Sequence, residues 1–350
     1  MGCLSERYRK QLAEEIPEVD AFFGVNELSR IVERVGGTFR KELLGERLIT
    51  TPSHYAYLKI AEGCDRHCSF CSIPNIRGKH VSRPMEDIIR EAAILSGQGV
   101  KEINVISQDT TYYGLDIYRR RMLPELLEQL SEIPGLDWIR IHYTYPDGFP
   151  LELLDVIKQH PNICKYIDIP LQHISTRILT SMKRGIDRQQ TYDLVSLIRT
   201  ELPEGVIRTT LITGYPGETD QDFRELKEFI SVCRFDRLGV FTYSHEEGTS
   251  AYALMDSIPA KVKEERAAEL MEIQQDISLQ LNSLRIGQIM KVIVDREEDE
   301  YYVARSEFDS PEIDNEVLIQ KETKKLSIGC FYEVKITAAN NFDLYAEITD

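Results

Sequence analysis

Cys64-Asp65-Arg66-His67-Cys68-Ser69-Phe70-Cys71 puts three thiols on one short segment at Cys-x3-Cys-x2-Cys spacing, just after an apolar run at 55–61 that reads as a β-strand. Three thiolates on one loop can hold three corners of a four-iron cluster, which normally takes four protein ligands. The remaining iron is then open to a substrate or cofactor, the same distinction that separates catalytic metal sites from closed structural ones. On the cysteines alone, structural zinc is the alternative. Closed tetrahedral zinc needs a fourth ligand. His67 adjoins Cys68, an awkward geometry for chelation by both, and no second Cys-x2-Cys follows within zinc-ribbon distance.

Outward from that loop the chain alternates strand and helix. Strand-like runs lie at 55–61, 102–107, 138–143, 166–170, 206–213 and 238–243, with helical patterns at 84–96, 123–132, 151–159, 188–201 and 220–233. Pro84 stands where proline is tolerated at a helix start, and Gly97 with Gly99 suits a helix end. Six such units predict parallel strands with right-handed crossovers, hence an α/β fold built as an open six-unit partial TIM barrel rather than a closed eight. Chemistry in such barrels gathers at the carboxyl ends of strands. The polar groups predicted there are Gln108 and Asp109, His142 and Tyr143, Gln172 and His173, and the turn from Thr213 through Gly214 to Glu218.

The flanks differ in character. Residues 1–51 hold helical patterns at 5–15 and 27–35 around an apolar run at 19–25, too little for a core of their own. The barrel region, 52–284, closes with a long helical stretch at 260–284, expected to pack one apolar stripe. Residues 285–350 change period, with short alternating segments at 289–295, 301–306, 316–319, 331–337 and 344–348 that predict a small antiparallel all-β barrel.

Composition narrows the class. A chain of 350 residues that is 42% hydrophobic can build a barrel-sized core and a second small domain. No apolar run approaches the roughly 20 residues that span a bilayer, and no basic stretch followed by an apolar segment marks secretion. Seven cysteines, three on one loop, argue against a disulfide framework, so a cytoplasmic setting is expected. The net charge of -16 is unlike that of a nucleic-acid binder. Arg119-Arg120-Arg121 and the run from Lys321 to Lys325 are short enough to be solvated faces. An acidic protein steers toward a basic partner.

With an aromatic, Phe70, before the third cysteine, the motif resembles that of the radical S-adenosylmethionine (SAM) enzymes. Tyr57-Leu58-Lys59-Ile60-Ala61-Glu62-Gly63-Cys64-Asp65, Ile73-Pro74-Asn75-Ile76-Arg77-Gly78 and Ser82-Arg83-Pro84 are similar to the methylthiotransferase branch of that family. Within it, Ser107-Gln108-Asp109-Thr110-Thr111-Tyr112-Tyr113-Gly114 and Tyr243-Ser244-His245-Glu246-Glu247-Gly248-Thr249 resemble the members that modify an aspartate of small-subunit ribosomal protein S twelve.

The resemblance implies a radical SAM partial barrel followed by a TRAM domain, with residues 1–51 a remnant of the amino-terminal methylthiotransferase domain. Cys64, Cys68 and Cys71 would hold a 4Fe-4S cluster. A second cluster is expected in the full-length protein, held by three further cysteines, and Cys3 matches the last of them. The other two have no counterpart, so the chain is expected to be truncated at its amino terminus and to cleave SAM without completing sulfur transfer.

SAM brings an ammonium, a carboxylate, a ribose and an adenine. Candidate contacts are Asp109 for the ammonium, with Gln108 next to it as a further cofactor-binding candidate, Gln172 for the ribose or carboxylate, Arg184 and Arg208 for a carboxylate, and Phe70 with the backbone at Gly214 for the adenine. Each competes with the plainer reading of a satisfied polar group lining a barrel mouth. His142 and His173 read as hydrogen-bonded structural groups, and Cys164, Cys233 and Cys330 as buried small hydrophobes.

The implied reaction is methylthio insertion at an aspartate β-carbon of ribosomal protein S twelve, with a flavodoxin or ferredoxin as electron donor. The TRAM domain carries eight Lys or Arg against fifteen Asp or Glu, a balance that suits a basic protein better than RNA. A transfer-RNA methylthiotransferase and a zinc-stabilised binding module without catalysis are the other readings.

Overall fold

The computed structural model describes residues 1–38, 48–321 and 325–349. Part of the amino-terminal region (39–47), the middle of the basic run (322–324) and residue 350 lie outside the described residues.

Three short helices come first: α1 (Cys3–Arg7), α2 (Arg9–Glu15) and α3 (Leu28–Arg34). The continuous helix expected over 5–15 is interrupted at Tyr8. The barrel then runs β1 (Tyr55–Lys59), β2 (Ala61–Glu62), α4 (Ile73–Arg77), β3 (Val81–Ser82), α5 (Met85–Gly97), β4 (Glu102–Ile106), α6 (Leu123–Ser131), β5 (Trp138–Ile141), α7 (Glu152–Gln159) and β6 (Ile163–Asp168). It continues through α8 (Thr176–Ser181), α9 (Arg188–Glu201), β7 (Val206–Thr213), α10 (Asp220–Cys233), β8 (Arg237–Thr242) and α11 (Ala260–Ser283). Strands β1, β4, β5, β6, β7 and β8 form one sheet in chain order, and every neighbouring pair is parallel. The expected six-unit open barrel is therefore present. Leu58, Ile103, Ile139 and Ile207 from the strands meet Ile88 and Leu95 of α5, Leu126 and Leu130 of α6, and Phe229 of α10 in one core. With Ala92 between Ile88 and Leu95, the buried positions of α5 and α6 recur every three or four residues, which keeps one face of each helix on the sheet.

Helix α11 departs from expectation. Its buried stripe runs Lys263, Arg266, Leu270, Gln274, Ile277, Ser278 and Asn282, so only Leu270 and Ile277 are apolar and the stripe is polar for most of its length. The cause is local. Lys263 pairs with Asp256 at 2.7 Å, and Arg266 takes the buried carboxylate of Glu218 from the loop after β7.

Strands β9 (Ile289–Glu297), β10 (Tyr301–Ser306), β11 (Val317–Gln320), β12 (Phe331–Ala339) and β13 (Leu344–Ile348) close into a barrel in the order β10-β11-β13-β12-β9. It is not wholly antiparallel as expected, because β11 and β13 pair parallel.

This small barrel caps the amino-terminal ends of the parallel strands. Trp138, Tyr166 and Val206 pack with Ile293, and Trp138 meets Phe331 edge-on with centroids 4.8 Å apart. Among these contacts runs a line of buried charge. Glu102 is fully buried between Arg140 (3.0 Å) and Arg305 (2.8 Å), and Arg305 also pairs with Asp295, which His54 reaches at 2.7 Å. Burial alone would push the Glu102 carboxyl up, but the two guanidinium groups hold it below its ordinary value. Arg237 pairs with Asp309 in the same interface. Removing one member of a buried ion pair leaves the others charged and unpaired. Glu102→Ala is therefore expected to destabilise the protein by about 3–5 kcal/mol, read from urea unfolding; a change below about 1 kcal/mol would show the network to be dispensable.

Candidate active site

The three-cysteine loop leaves the carboxyl end of β1. A two-residue ladder, Ala61 with Ser82 and Glu62 with Val81, ties its two ends together. Gly63 opens the loop with φ 78°, and a Cβ there would stand 2.1 Å from the carbonyl oxygen of Lys79, so only glycine fits. The Cys64 amide donates to the Gly78 carbonyl at 3.1 Å, and the His80 amide to the Asp65 carboxylate at 3.0 Å. The middle of the loop is pinned from the far side of the barrel. Ser69 donates its amide to Met182, accepts from the Ala251 amide, and shares a 2.8 Å hydroxyl contact with Tyr215.

Cys64, Cys68 and Cys71 line one cavity of about 150 Å³ at the carboxyl ends of the strands. Phe70, Gln108, Gln172 and Arg184 line the same cavity, so four of the predicted cofactor contacts come together with the thiols. Larger grooves of about 690 and 480 Å³ lie along α6 and α7 and beside α11, but no cysteine lines them. Gln172 has φ 72°, and its backbone is held on both sides by Thr210 and Ile212 of β7 at 2.8 Å. Two buried polar atoms of the cavity lining have no partner: Gln108 Oε1, an acceptor, and Arg184 Nε, a donor. Unpartnered buried atoms also occur elsewhere in this chain, at Asn104 and Gln274 for example, but this acceptor and this donor belong to side chains that line the cavity shared by the thiols.

Three predicted contacts lie elsewhere. Asp109 is buried but turned aside, its carboxylate on Arg66 at 2.8 Å and accepting from Thr111 at 2.5 Å. Arg208 is spent on Asp168 (2.9 Å) and Asp314 (3.3 Å), toward the small barrel, because the loop before β11 reaches up to it. Gly214 faces α11; a Cβ would stand 2.2 Å from Lys263 Cγ, which explains the glycine without a ligand.

His142 contacts Asp168 and Ser310, and His173 accepts from the Ser175 amide, both as structural groups. Cys164 is buried as expected, whereas Cys233 and Cys330 are only half-buried, Cys330 beside the Lys101 ammonium. Cys3 packs against α4, its sulfur accepting from Arg77 Nη2 at 3.2 Å, one short helix away from Cys71.

Sequence reading missed Arg66 and Tyr145, and named Tyr143 only as a polar group at a strand end, without a role in the cavity. Arg66 lies inside the cysteine motif, and the tyrosines follow β5 where cavity residues belong, so position was the available signal. Tyr143 adopts φ 57°, with its amide on Asp168 and its carbonyl taking the Thr110 amide.

Burial pushes the Cys64 thiol up to about 11 and raises Cys71 as well. A metal that binds such a sulfur replaces its proton. Among the described residues no three His, Cys, Asp or Glu side chains converge to hold a single ion. The three thiols border a shared cavity instead, and a cluster with a separate iron at each corner asks for that arrangement.

An open parallel barrel with this loop at its carboxyl end defines a radical SAM protein, and residues 58–230 match the Radical SAM superfamily model while 286–349 match the TRAM domain. RimO of Cytophaga hutchinsonii, described as a ribosomal protein uS12 methylthiotransferase, is 55% identical over 99% of this chain and 79% of its own. Its counterparts from Christiangramia forsetii and Bacteroides thetaiotaomicron are each 54% identical over 99% of this chain and 77% and 80% of theirs. The solved methylornithine synthase PylB overlays with a TM-score of 0.45 at 16% identity, over 75% of this chain and 77% of that one, too loose a likeness to add to the assignment. The chain belongs to the RimO family of ribosomal protein uS12 methylthiotransferases. That family membership implies a 4Fe-4S cluster and SAM, and no helix among the described residues is long and apolar enough to cross a membrane.

Gly63→Ala is expected to lose most of its reconstituted iron while keeping the wild-type far-ultraviolet circular dichroism. Full iron content in that variant would show that the Gly63 turn does not shape the site.

Proposed function

We propose that this protein adds a methylthio group to the β-carbon of an aspartate in ribosomal protein uS12, using a radical made from SAM. The observation that carries this reading is the convergence of three cysteine thiols, an orphan acceptor and an orphan donor on one cavity, in a chain about 55% identical to curated uS12 methylthiotransferases. Cys64, Cys68 and Cys71 would hold the cluster. When bound, the four-iron cluster supplies SAM with one electron and so the 5'-deoxyadenosyl radical that takes a hydrogen atom from the target β-carbon.

The protein's own share is positioning and exclusion of water. Gln108 Oε1 is the acceptor offered to the ammonium of SAM, and Arg184 Nε the donor offered to its carboxylate, so the two ends of one zwitterion satisfy both orphans. Gln172 faces the same space for the ribose, and Phe70, packed partly against Tyr215 and Tyr243, backs the adenine. Asp109 serves by fixing Arg66 rather than by touching SAM.

Cys3 is the residue of this chain we assign to a second cluster, the carrier of the inserted sulfur; its contact with Arg77 of α4 keeps it on the side of the barrel that bears the cysteine loop. A basic ribosomal protein suits a chain of net charge -16 better than RNA does. The reductant is a flavodoxin or ferredoxin, and a ribosomal substrate sets the reaction in the cytoplasm.

Two measurements test this. With reconstituted protein, dithionite and SAM, a uS12 peptide deuterated at the target β-carbon should pass deuterium into 5'-deoxyadenosine; transfer from a transfer-RNA substrate in its place would overturn the assignment. Gln108→Leu is expected to weaken SAM binding about tenfold, the ~1.4 kcal/mol cost of an unpaired ammonium hydrogen, and unchanged affinity by calorimetry would remove Gln108 from the SAM site.

A further inference from the structure

The three cysteine sulfurs stand in different surroundings. Cys64 accepts from the Arg66 amide at 3.4 Å, and Cys71 from the Ile73 amide, both backbone donors. Cys68 Sγ lies 3.3 Å from the Tyr145 hydroxyl and 3.2 Å from Arg184 Nη1. Both partners are buried, Tyr145 to 8% exposure and Arg184 to 4%. They also brace each other. The Arg184 guanidinium carbon stands 4.2 Å from the centre of the Tyr145 ring, and that of Arg66 stands 3.9 Å from it. Two guanidinium groups at that height cannot share one ring face, so the ring is clasped between them, a cation–π arrangement on both sides. Arg66 is held in turn by Asp109 at 2.8 Å and Asp147 at 2.9 Å, and a further Arg184 nitrogen donates to the Pro170 carbonyl. The hydroxyl that reaches Cys68 is therefore fixed by five residues on five connecting segments.

That hydroxyl has one proton and two acceptors in reach, Cys68 Sγ and the Arg184 carbonyl at 3.2 Å. A neutral thiol is a weak acceptor, and the carbonyl takes the proton. A thiolate carries charge, and hydrogen bonds to charged acceptors are roughly twice as strong as neutral ones. The proton then turns to sulfur.

We propose that Tyr145 and Arg184 are positioning residues that raise the reduction potential of the cluster by donating two hydrogen bonds to the sulfur of Cys68. The physical reason is charge. Reduction adds an electron to a cluster already ringed by thiolates, and donors aimed at a ligand sulfur stabilise the more negative state, one of the levers that set cluster potentials. The inference rests on the proposed cluster at Cys64, Cys68 and Cys71.

The test is a redox titration of the reconstituted full chain, followed by electron paramagnetic resonance, with iron counted in every sample. Wild-type iron content reports on the cluster itself, and a wild type without iron would defeat the function proposed above. The difference in midpoint between variants reports on this inference. Tyr145→Phe keeps the clasped ring and removes only the hydroxyl; it is expected to keep its iron and to shift the reduction equilibrium about tenfold toward the oxidised form, ~59 mV for one electron. Arg184→Lys should shift it in the same direction, whereas Tyr143→Phe, a tyrosine of the same cavity without a sulfur contact, should leave it unchanged. A Tyr145→Phe midpoint equal to wild type at equal iron content overturns the proposal. Loss of iron from both Tyr145→Phe and Arg184→Lys overturns it too, since the contacts would then be scaffolding for the loop.

Discussion

Six parallel strands in chain order leave all their amino-terminal ends on one side and all their carboxyl ends on the other, and an open barrel has to close both. In this protein the closing is done by different means at each end. At the amino-terminal side a separate small barrel is seated on Trp138, Tyr166 and Val206, with Glu102 locked between Arg140 and Arg305. A buried ion network is weak evidence for added stability, because desolvation offsets most of the attraction. What it does confer is a single seating, since any shift would leave buried charge unpaired. The open sheet, its interior polar around Arg208, Asp168 and His142, is completed by residues from another domain.

The carboxyl side stays available for chemistry. Its covering is the cysteine loop, which enters by a glycine turn, is tied at its base by a two-residue ladder, and is anchored in its middle to Met182, Tyr215 and Ala251 from the opposite wall. Those anchors come from segments after β6, β7 and β8, so the loop and the far strands must find each other before the cavity exists. Tyr143 and Gln172, both in left-handed backbone conformations that cost non-glycine residues roughly 1–3 kcal/mol, stand at the exits of β5 and β6 and line that cavity. Strain kept at the ends of two adjacent strands, where each backbone is held by neighbouring hydrogen bonds, is what a preorganised site looks like.

Much of this was legible before any coordinates. The strands over 206–213, 301–306 and 344–348 and the helices over 188–201 and 220–233 fall where the pattern of apolar residues puts them. The reason is that these elements bury one face each, and burial of a face writes its period into the sequence. The three thiols were legible for a different reason: their chemistry requires a fixed spacing on one loop, so the constraint is local. Asp109, Arg208 and Gly214, expected beside the thiols, do not line their cavity, because position along a strand does not say which neighbour will claim a side chain. Arg208 went to Asp314, more than a hundred residues on.

The sequence by itself determined the parallel α/β architecture, the second small β-domain and the grouping of three cysteines on one loop, because periodicity and spacing act over a few residues. Only the tertiary structure decided that the small barrel has one parallel pair and caps the amino-terminal ends, that the buried face of α11 begins with Lys263 and Arg266, and that Tyr145 stands between two arginines beside Cys68. Those outcomes depend on which charges and rings meet across long stretches of chain. A buried charge settles on whichever partner the packing brings within about 3 Å, and that distance exists only once the domains are assembled.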